Sequence, residues 1–283
     1  MRTYNYTRDV VDERDHIQNI DVHKFLDVVK EVDLRSRFPP VFDQGNLGSC
    51  TANALAGLLE YEDTNVKFTP SRLFIYYNER DIEHTTSTDS GASLRDGMKS
   101  LKRYGACNES LWKYDISKFT VRPTHDCYVE ALKHRVTKYM KLNQQLDQLK
   151  QSLLNGVPFV FGIVVYESFE SDEATSTGMI PMPNVEKEKV LGSHAINSAG
   201  FSDEKQCFLF RNSWGPEWGD NGYGYIPYDY LLSTDLSSDF WVIEKSENNF
   251  ASQNSRLFGS SKTLKGSRLF GSSEVHRGIL NES

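Results

Sequence analysis

Hydrophobic positions in the first half of the chain follow a helical spacing. After Ser49, apolar or small residues recur every three to four positions, at Ala52, Leu55, Ala56 and Leu59. This spacing is typical of a helix with one buried face. Similar patterns predict helices over 70–80, 93–104 and 146–155, and the last two end before a glycine that suits a helix terminus.

The pattern changes after residue 156, where β-branched and aromatic residues form short runs separated by turns. These runs predict strands over 157–166, 195–201, 206–211, 222–227 and 239–243. Residues 167–190 are rich in Ser, Thr, Glu and Pro and are predicted to form a loop excursion. We therefore expect a mainly helical first half and a mainly β second half.

The two ends of the chain differ from this central part. Residues 1–32 are rich in charge and include an amphipathic stretch at 22–29. Two interpretations stay open for them: a docked structural arm, or a propeptide-like segment that covers a cleft and restrains activity. Residues 246–283 contain the run Ser-Arg-Leu-Phe-Gly-Ser-Ser twice. Two copies are too few for a stacked-repeat fold, so we predict a mostly disordered tail, with a short binding motif as the alternative.

The composition argues against several classes of function. Hydrophobic residues make up 38% of the 283 positions, enough to build a substantial core. A formal net charge of −7 argues against nucleic acid as a main partner, because phosphate binding needs clustered Lys and Arg. No apolar run approaches the roughly 20 residues that span a membrane. Residues 1–15 lack the apolar region of a secretory signal. We expect an intracellular, cytoplasmic setting, which includes a viral protein in its host cell or virion.

The four cysteines also favour an intracellular setting. If Cys50 stays reduced in order to react, at least one of Cys107, Cys127 and Cys207 cannot pair. That arithmetic fits a reducing compartment, although a bridge between Cys107 and Cys127 stays open as an alternative. No Cys-x-x-Cys or Cys/His ligand spacing occurs, so we expect no metal site.

Cys50 has the sequence surroundings of a nucleophile. It falls in the predicted first turn of a helix, directly after a loop with two glycines. A helix N-terminus offers unpaired N–H groups and a positive dipole end, which favour a thiolate. Gln44, six residues earlier, can aim its amide at the same space and stabilise a developing oxyanion. A small buried hydrophobe is the ordinary role of a cysteine, but these three features together favour catalysis.

Two residues further along the chain supply partners for such a nucleophile. His194 stands at the head of a predicted strand, and Asn212 follows the strand predicted over 206–211. An amide can hold an imidazole in one tautomer without adding charge, and Trp214 can exclude water from that hydrogen bond. Cys, His and Asn together permit attack on a carbonyl carbon and protonation of a leaving amine.

Three ordered motifs resemble the papain-like cysteine peptidases, the cathepsin family. Residues 44–50 resemble the active-site loop, residues 193–201 the histidine strand, and residues 212–223 the asparagine loop. The 144 positions between Cys50 and His194 also match the spacing of this family. The resemblance covers about residues 33–245.

The resemblance implies an α+β fold of two lobes, a helical one over 33–150 and a β-barrel-like one over 151–245. It implies a cysteine endopeptidase that acts through Cys50, His194, Asn212 and Gln44, with a thioacyl-enzyme intermediate. It implies a peptide or protein substrate, bound in the cleft between the lobes, and neither a metal nor an organic cofactor. Substrate contacts are expected at four residues of the cleft: Ser90, Gly91, Gly192 and Trp214.

The sequence also departs from the family pattern. Leu47 replaces a usual cysteine, Thr51 a usual aromatic residue, and Ser193 a frequent Asp or Asn. The loss of the structural cysteine is typical of a disulfide-poor microbial and viral branch. Two other activities stay open: peptide ligation or acyl transfer on the same triad, and peptide binding without catalysis.

Overall fold

The computed structural model describes residues 3–21, 28–63 and 68–244. Most of the amphipathic stretch predicted at 22–29 and the whole tail predicted at 246–283 lie outside these ranges. The helices are α1 Cys50–Glu62, α2 Arg72–Ile82, α3 Leu94–Arg103, α4 His125–Ala131, α5 Leu146–Leu154, α6 Asp172–Thr177 and α7 Tyr228–Leu232. The strands are β1 Tyr6–Thr7, β2 Ile17–Gln18, β3 Glu31–Asp33, β4 Ala92–Ser93, β5 Lys138–Leu142, β6 Val160–Tyr166, β7 Val190–Ser202, β8 Cys207–Arg211, β9 Tyr223–Pro227 and β10 Ser237–Glu244.

Serine caps set the start of two helices on the N-terminal side. The Ser71 hydroxyl accepts the Phe74 N–H at the start of α2, and the Ser93 hydroxyl accepts the Asp96 N–H at the start of α3. Each cap satisfies one of the N–H groups that a helix end leaves unpaired. The Ser93 hydroxyl also donates to the Asp96 carboxylate, which lies near the positive end of the helix dipole.

The long strand β7 organises the sheet. Within the described residues, the sheet has the order β2-β5-β10-β6-β7-β8-β9, and β3 adds to β7 as well. Pairs between neighbours from β5 to β9 are antiparallel, whereas β2 runs parallel to β5. The first half of β7 pairs with β6 and its second half with β8, so one strand crosses from the cleft to the interior of the sheet.

Two hydrophobic cores lie on the two sides of this arrangement. One packs α5, β6, β8 and the loop at 167–181 around buried aromatic side chains such as Phe159, Phe161 and Phe208. The other packs α1, α2 and α3 against Val160, Ala195 and Trp241 of the sheet. The predicted α+β class is confirmed, and the helices of the first half cover one face of a sheet built mostly from the second half.

Differences from the predicted elements are local. Strand β7 begins at Val190 rather than at residue 195, and the predicted loop excursion over 167–190 contains the short helix α6. Helix α4 and strand β5 were not predicted, because both are short and lack a clear period. Strand β5 joins the same sheet as the later strands although it precedes residue 150. The boundaries at 33, 150 and 245 stay a prediction. None of the described helices is long and apolar enough to cross a membrane.

Replacement of a buried aromatic side chain by alanine should show how much its packing contributes to the stability of the sheet. Phe161 is fully buried and stacks on Phe240 at 5.5 Å between ring centroids. We expect Phe161→Ala to lower the free energy of unfolding by about 3–5 kcal/mol, measured by urea denaturation. Leu132→Ala is the control, since Leu132 is 55% exposed and its loss should cost less than about 0.5 kcal/mol. Equal losses for the two variants would contradict this packing.

Candidate active site

The helix α1 begins at Cys50, as the sequence predicts, and the preceding loop is held at several points. The Gly48 N–H donates to both carboxylate oxygens of Asp89 at 3.0 Å. The Ser49 hydroxyl lies 2.6 Å from the hydroxyl of Tyr114, which donates to the carbonyl of Gln44 at 2.9 Å. These contacts hold the loop that directly precedes the thiol, and so fix the start of the helix that carries the sulfur.

His194, inside β7, meets Asn212, which directly follows the end of the neighbouring strand β8. His194 Nε2 lies 2.9 Å from Asn212 Oδ1, and the Ser213 N–H donates to the same oxygen. The indole of Trp214 stacks on the imidazole, with ring centroids 4.9 Å apart and planes 21° apart. The amide oxygen therefore engages Nε2 of the imidazole, and the indole covers that hydrogen bond.

Gln44 lies where the two loops meet. Its side-chain oxygen accepts the Ser213 hydroxyl at 2.6 Å, and its backbone N–H donates to the Ser213 carbonyl at 2.9 Å. Its side-chain nitrogen donates to the Leu47 carbonyl at 3.0 Å. Since an amide nitrogen carries two donors, the second one can serve a ligand. The amide oxygen is engaged by Ser213, so the orientation that presents the nitrogen to the cleft is locked.

Direct contacts between α1 and β7 bring the thiol and the imidazole to the same place. The backbone N–H of Ala195, the residue after His194, lies near the Cys50 sulfur and lowers the pKa of the thiol, against the effect of burial. Further along both elements, the Asn197 amide donates to the Ala54 carbonyl at 2.9 Å. The hydrogen bond to Ala54 thus joins the N-terminal part of the helix to the strand, and this junction helps to determine the relative position of the two groups.

An extended N-terminal segment covers this site. Tyr4 packs edge-on against His194 and Trp214, with centroid distances of 6.0 and 5.9 Å. Asn5 forms a parallel bridge with Ser193 on one wall of the cleft. Strand β1 pairs in parallel with β4 on the other wall. Both walls of the cleft are therefore paired with residues 4–7 of the chain itself.

Of the four residues predicted to contact substrate, three face the N-terminal segment and one does not. Gly91, Gly192 and Trp214 all face the N-terminal segment. A Cβ at Gly91 would lie 1.6 Å from the Asn5 carbonyl oxygen, and its φ of 72° also favours glycine. Ser90 instead turns its hydroxyl to Thr85 and to the neighbouring carbonyl. Three of the four predicted contact residues thus line the cleft at the segment, and the fourth shapes the loop.

Buried hydrogen bonds anchor the segment beyond the cleft. Both oxygens of the Asp9 carboxylate accept bonds, from the Trp241 indole at 2.9 Å and the Arg95 backbone N–H at 3.1 Å. The Arg95 guanidinium binds the Asp15 carboxylate at 2.6 and 3.1 Å. Strand β2 then continues the segment along the edge of the sheet. The segment is therefore attached from residue 4 to residue 18.

Burial changes the acid–base properties of the site. Cys50 and His194 are completely buried, and Gln44 and Asn212 are 1% exposed. Burial raises the pKa of Cys50 to about 12. The N–H groups of Ala195, Thr51 and Cys50 itself lower the pKa, but they offset only part of the effect of burial. The covered site therefore disfavours the thiolate.

The sequence interpretation did not single out Asp89, Tyr114 or Asp239. Asp89 holds the Gly48 N–H and accepts the Tyr76 hydroxyl, and its place directly before Ser90 was the available signal. Tyr114 binds the Gln44 carbonyl and Asp239 accepts the Tyr6 hydroxyl, and neither had a local signal because each contact joins residues distant in sequence.

The comparisons with known proteins agree with this geometry. The family model described as papain family cysteine protease matches residues 28–236. A peptidase C1-like protein of Acanthamoeba polyphaga mimivirus is 44% identical over 215 residues, which are 72% of this chain and 69% of that protein.

Solved structures give the same result. The crystal structure of xylellain, a cysteine protease from Xylella fastidiosa, is similar with a TM-score of 0.78 at 39% identity, over 86% of this chain and 96% of that one. A Carica candamarcensis cysteine protease in complex with E-64 shares the fold, with a TM-score of 0.57 at 17% identity over 77% of this chain and 99% of that one. The chain therefore belongs to the papain family of cysteine proteases, and it is a hydrolase with the papain-like α+β fold.

Proposed function

We propose that the protein is an endopeptidase that cleaves peptide bonds through a thioacyl-enzyme intermediate on Cys50. The observation that carries this proposal is that His194 is bound to Asn212 at 2.9 Å and lies on the strand that packs against the helix whose first residue is Cys50. Nucleophile, base and orienting amide thus come from elements in direct contact, which supports the arrangement that thiol acyl transfer requires.

The chemical steps follow from these positions. Asn212 Oδ1 accepts a hydrogen bond from the Nε2–H of His194, so Nδ1 is the ring nitrogen that takes the thiol proton of Cys50. The sulfur then attacks the carbonyl carbon, and the oxyanion is stabilised by the Gln44 amide nitrogen and the Cys50 backbone N–H. The C–N bond breaks as the imidazolium returns its proton to the leaving amine. Water, deprotonated by the imidazole, hydrolyses the thioester and regenerates the thiol.

The substrate is proposed to be an extended polypeptide. The cleft accepts such a conformation, because residues 5–7 lie in it extended and pair with Ser193 and with strand β4. Backbone pairing of this kind gives affinity, and side-chain pockets give specificity. Gly91, Gly192 and Trp214 are the proposed contacts, since the N-terminal segment already touches them.

The N-terminal segment is proposed to restrain this activity. Tyr4 and Asn5 occupy the space over His194 and between the cleft walls, so a substrate cannot enter while they are docked. The same burial raises the pKa of Cys50 and lowers its thiolate fraction. The two interpretations of residues 1–32 are compatible, because the segment both covers the cleft and joins the sheet through β2.

Peptide ligation shares the thioester with hydrolysis and differs only in the acceptor. No described contact favours an amine acceptor over water. Mass spectrometry of products made with an added amino acid amide separates the two, because transfer that exceeds hydrolysis would replace the proposed reaction. A binding module without catalysis would need neither the imidazole–amide pair nor the helix-end thiol.

Removal of the nucleophile should abolish turnover. We expect Cys50→Ala to lower the rate of cleavage of a fluorogenic peptide by at least about 1000-fold and to abolish covalent labelling by E-64. Cys207→Ala is the matched control, since Cys207 is another buried unbridged thiol outside the cleft. Retained turnover in Cys50→Ala would reject the proposal.

Loosening the segment should raise activity. Tyr4 makes two aromatic contacts, each worth about 0.5–1.5 kcal/mol, so Tyr4→Ala should increase kcat/KM about 10-fold or more. Val11→Ala is the control, because Val11 lies in the same segment and is 91% exposed. If Tyr4→Ala lowers the melting temperature without raising kcat/KM, the segment is a structural arm only.

The pH dependence of Cys50 alkylation should reflect the burial of its thiol. A raised pKa lowers the thiolate fraction at any given pH, so in the intact chain the alkylation rate should be low at pH 7 and increase through the alkaline range. In Tyr4→Ala the increase should begin at lower pH, because the thiol is less buried. Mass spectrometry of the iodoacetamide-modified Cys50 peptide measures both profiles, and superimposable profiles would contradict the argument.

A further inference from the structure

The residue after the nucleophile, Thr51, stands where the family usually has an aromatic residue, and the structure gives it a polar partner. Thr51 is completely buried, and its hydroxyl donates to Oε1 of Glu79 at 2.5 Å. Glu79 belongs to α2 and is completely buried as well. The first turn of α1 is therefore attached to α2 by a polar pair at the residue next to Cys50.

Glu79 has little to stabilise a negative charge. Its other oxygen, Oε2, has no hydrogen-bond partner within the described residues and faces Gly97 of α3, where an added Cβ would lie 3.1 Å away. The neighbouring Arg80 directs its guanidinium to four backbone carbonyls instead, those of Tyr76, Thr86, Thr88 and Phe119. Burial of a carboxylate without a counter-ion is costly, so the group avoids the cost by keeping its proton.

The charges around Glu79 favour the same protonation state. Burial raises its pKa well above the usual value, and the carboxylates of Glu83 and Asp96 add to this effect. The Thr51 hydroxyl and the Arg80 charge lower the pKa, but they offset only part of the increase. The side chain is therefore held as a neutral carboxylic acid, which can still form the hydrogen bond to Thr51.

The pair of Thr51 and Glu79 affects the nucleophile through the start of the helix. The backbone N–H groups of Thr51 and of Cys50 itself lower the pKa of the thiol, and the Cys50 N–H is also a proposed oxyanion donor. An anchored Thr51 side chain holds these N–H groups in place. A negative charge on Glu79, in contrast, raises the pKa of Cys50. The anchor therefore assists the thiolate only while Glu79 is protonated.

We infer that Glu79 is a positioning residue of the active site, which holds the first turn of α1 through Thr51 and does so as a neutral carboxylic acid. This inference rests on the proposed peptidase activity of the same site. Misplaced N–H groups at the helix start would stabilise the oxyanion less well, so loss of the anchor should lower kcat. Docking of the N-terminal segment competes with substrate and changes KM, so kcat reports the anchor separately.

The test compares two substitutions of Glu79 in the full chain, by kcat and KM for a fluorogenic peptide. Glu79→Leu suits the buried surroundings but cannot bind Thr51, so we expect kcat to fall at least about 10-fold with KM within about 2-fold. Glu79→Gln keeps the shape and the hydrogen bond without an ionisable group, so kcat should stay within about 3-fold of wild type. An equal loss in both variants would overturn the inference, because a neutral side chain would then not suffice.

A substitution of Thr51 tests whether Glu79 acts through that residue. Thr51→Val removes the hydroxyl at nearly constant volume and should lower kcat by about the same factor as Glu79→Leu. Because both changes break one contact, the double variant should be no slower than either single variant. Losses that multiply in the double variant would contradict the connection through Thr51.

Glu60→Leu and Glu60→Gln are the matched controls. Glu60 also accepts a threonine hydroxyl, that of Thr69 at 3.2 Å, and its Oε2 likewise has no hydrogen-bond partner in the described part of the chain. Burial raises its pKa to about 7, but it lies near the opposite end of α1 from Cys50. Both substitutions should leave kcat unchanged. A fall in kcat as large as that of Glu79→Leu would show a general loss of stability and overturn the inference.

The proton on Glu79 can be detected without turnover. The infrared difference spectrum between wild type and Glu79→Gln at about pH 7 should contain the carbonyl band of a protonated carboxyl group. A difference spectrum with carboxylate bands alone would contradict the neutral form.

Failure of this inference can be distinguished from failure of the proposed function. If cleavage proceeds but Glu79→Leu lowers only the melting temperature and not kcat, Glu79 is a structural residue and the peptidase activity stands. If no peptide is cleaved, the rate of Cys50 alkylation by iodoacetamide gives the same comparison, because the N–H groups at the helix start favour the thiolate. Equal alkylation rates in wild type and Glu79→Leu would overturn the inference there as well.

Discussion

The contact between the first turn of α1 and the middle of β7 determines the rest of the site. Helix α1 carries the sulfur and strand β7 carries the imidazole. The bond from the Asn197 side chain to the Ala54 carbonyl holds the two elements in one register. A shift of one residue along β7 would turn His194 to the other face of the sheet, because side chains alternate along a strand. The proposed chemistry of this chain therefore depends on the register of β7, which its pairing with β6 and β8 sets.

The N-terminal segment uses the same surfaces that a substrate would use. Its backbone pairs with both walls, and Tyr4 and Tyr6 fill places on the two sides of Asn5. Its attachment is distributed, since Asp9 and Asp15 bind groups well away from the thiol. Contacts inside the cleft can therefore weaken individually while the remainder of the segment stays bound to the domain.

The charges around the segment also link its docking to pH. Burial and the nearby Asp239 carboxylate raise the pKa of Asp9 to about 6, although the Arg95 N–H, the Trp241 indole and the Arg95 charge oppose this. A raised pKa means that the docked state binds the proton more tightly than the undocked state. Docking is therefore strongest below the ordinary pKa of Asp9, and it loses that contribution as the pH rises through about 6.

Much of the architecture and of the site can be predicted from the sequence alone. The 3–4 spacing after Ser49, the glycine loop before Cys50 and the motif around Asn212 are local patterns, and local patterns determine helix starts, turns and buried faces. Tertiary structure alone decided that Asp239 meets Tyr6, that Tyr114 braces the Gln44 loop, and that residues 4–7 lie in the cleft. Those contacts join residues far apart in the chain, and no periodicity or composition records which distant surfaces will pack together. The sequence therefore determined which groups could react, and the packing of distant segments decided what covers them and what surrounds them.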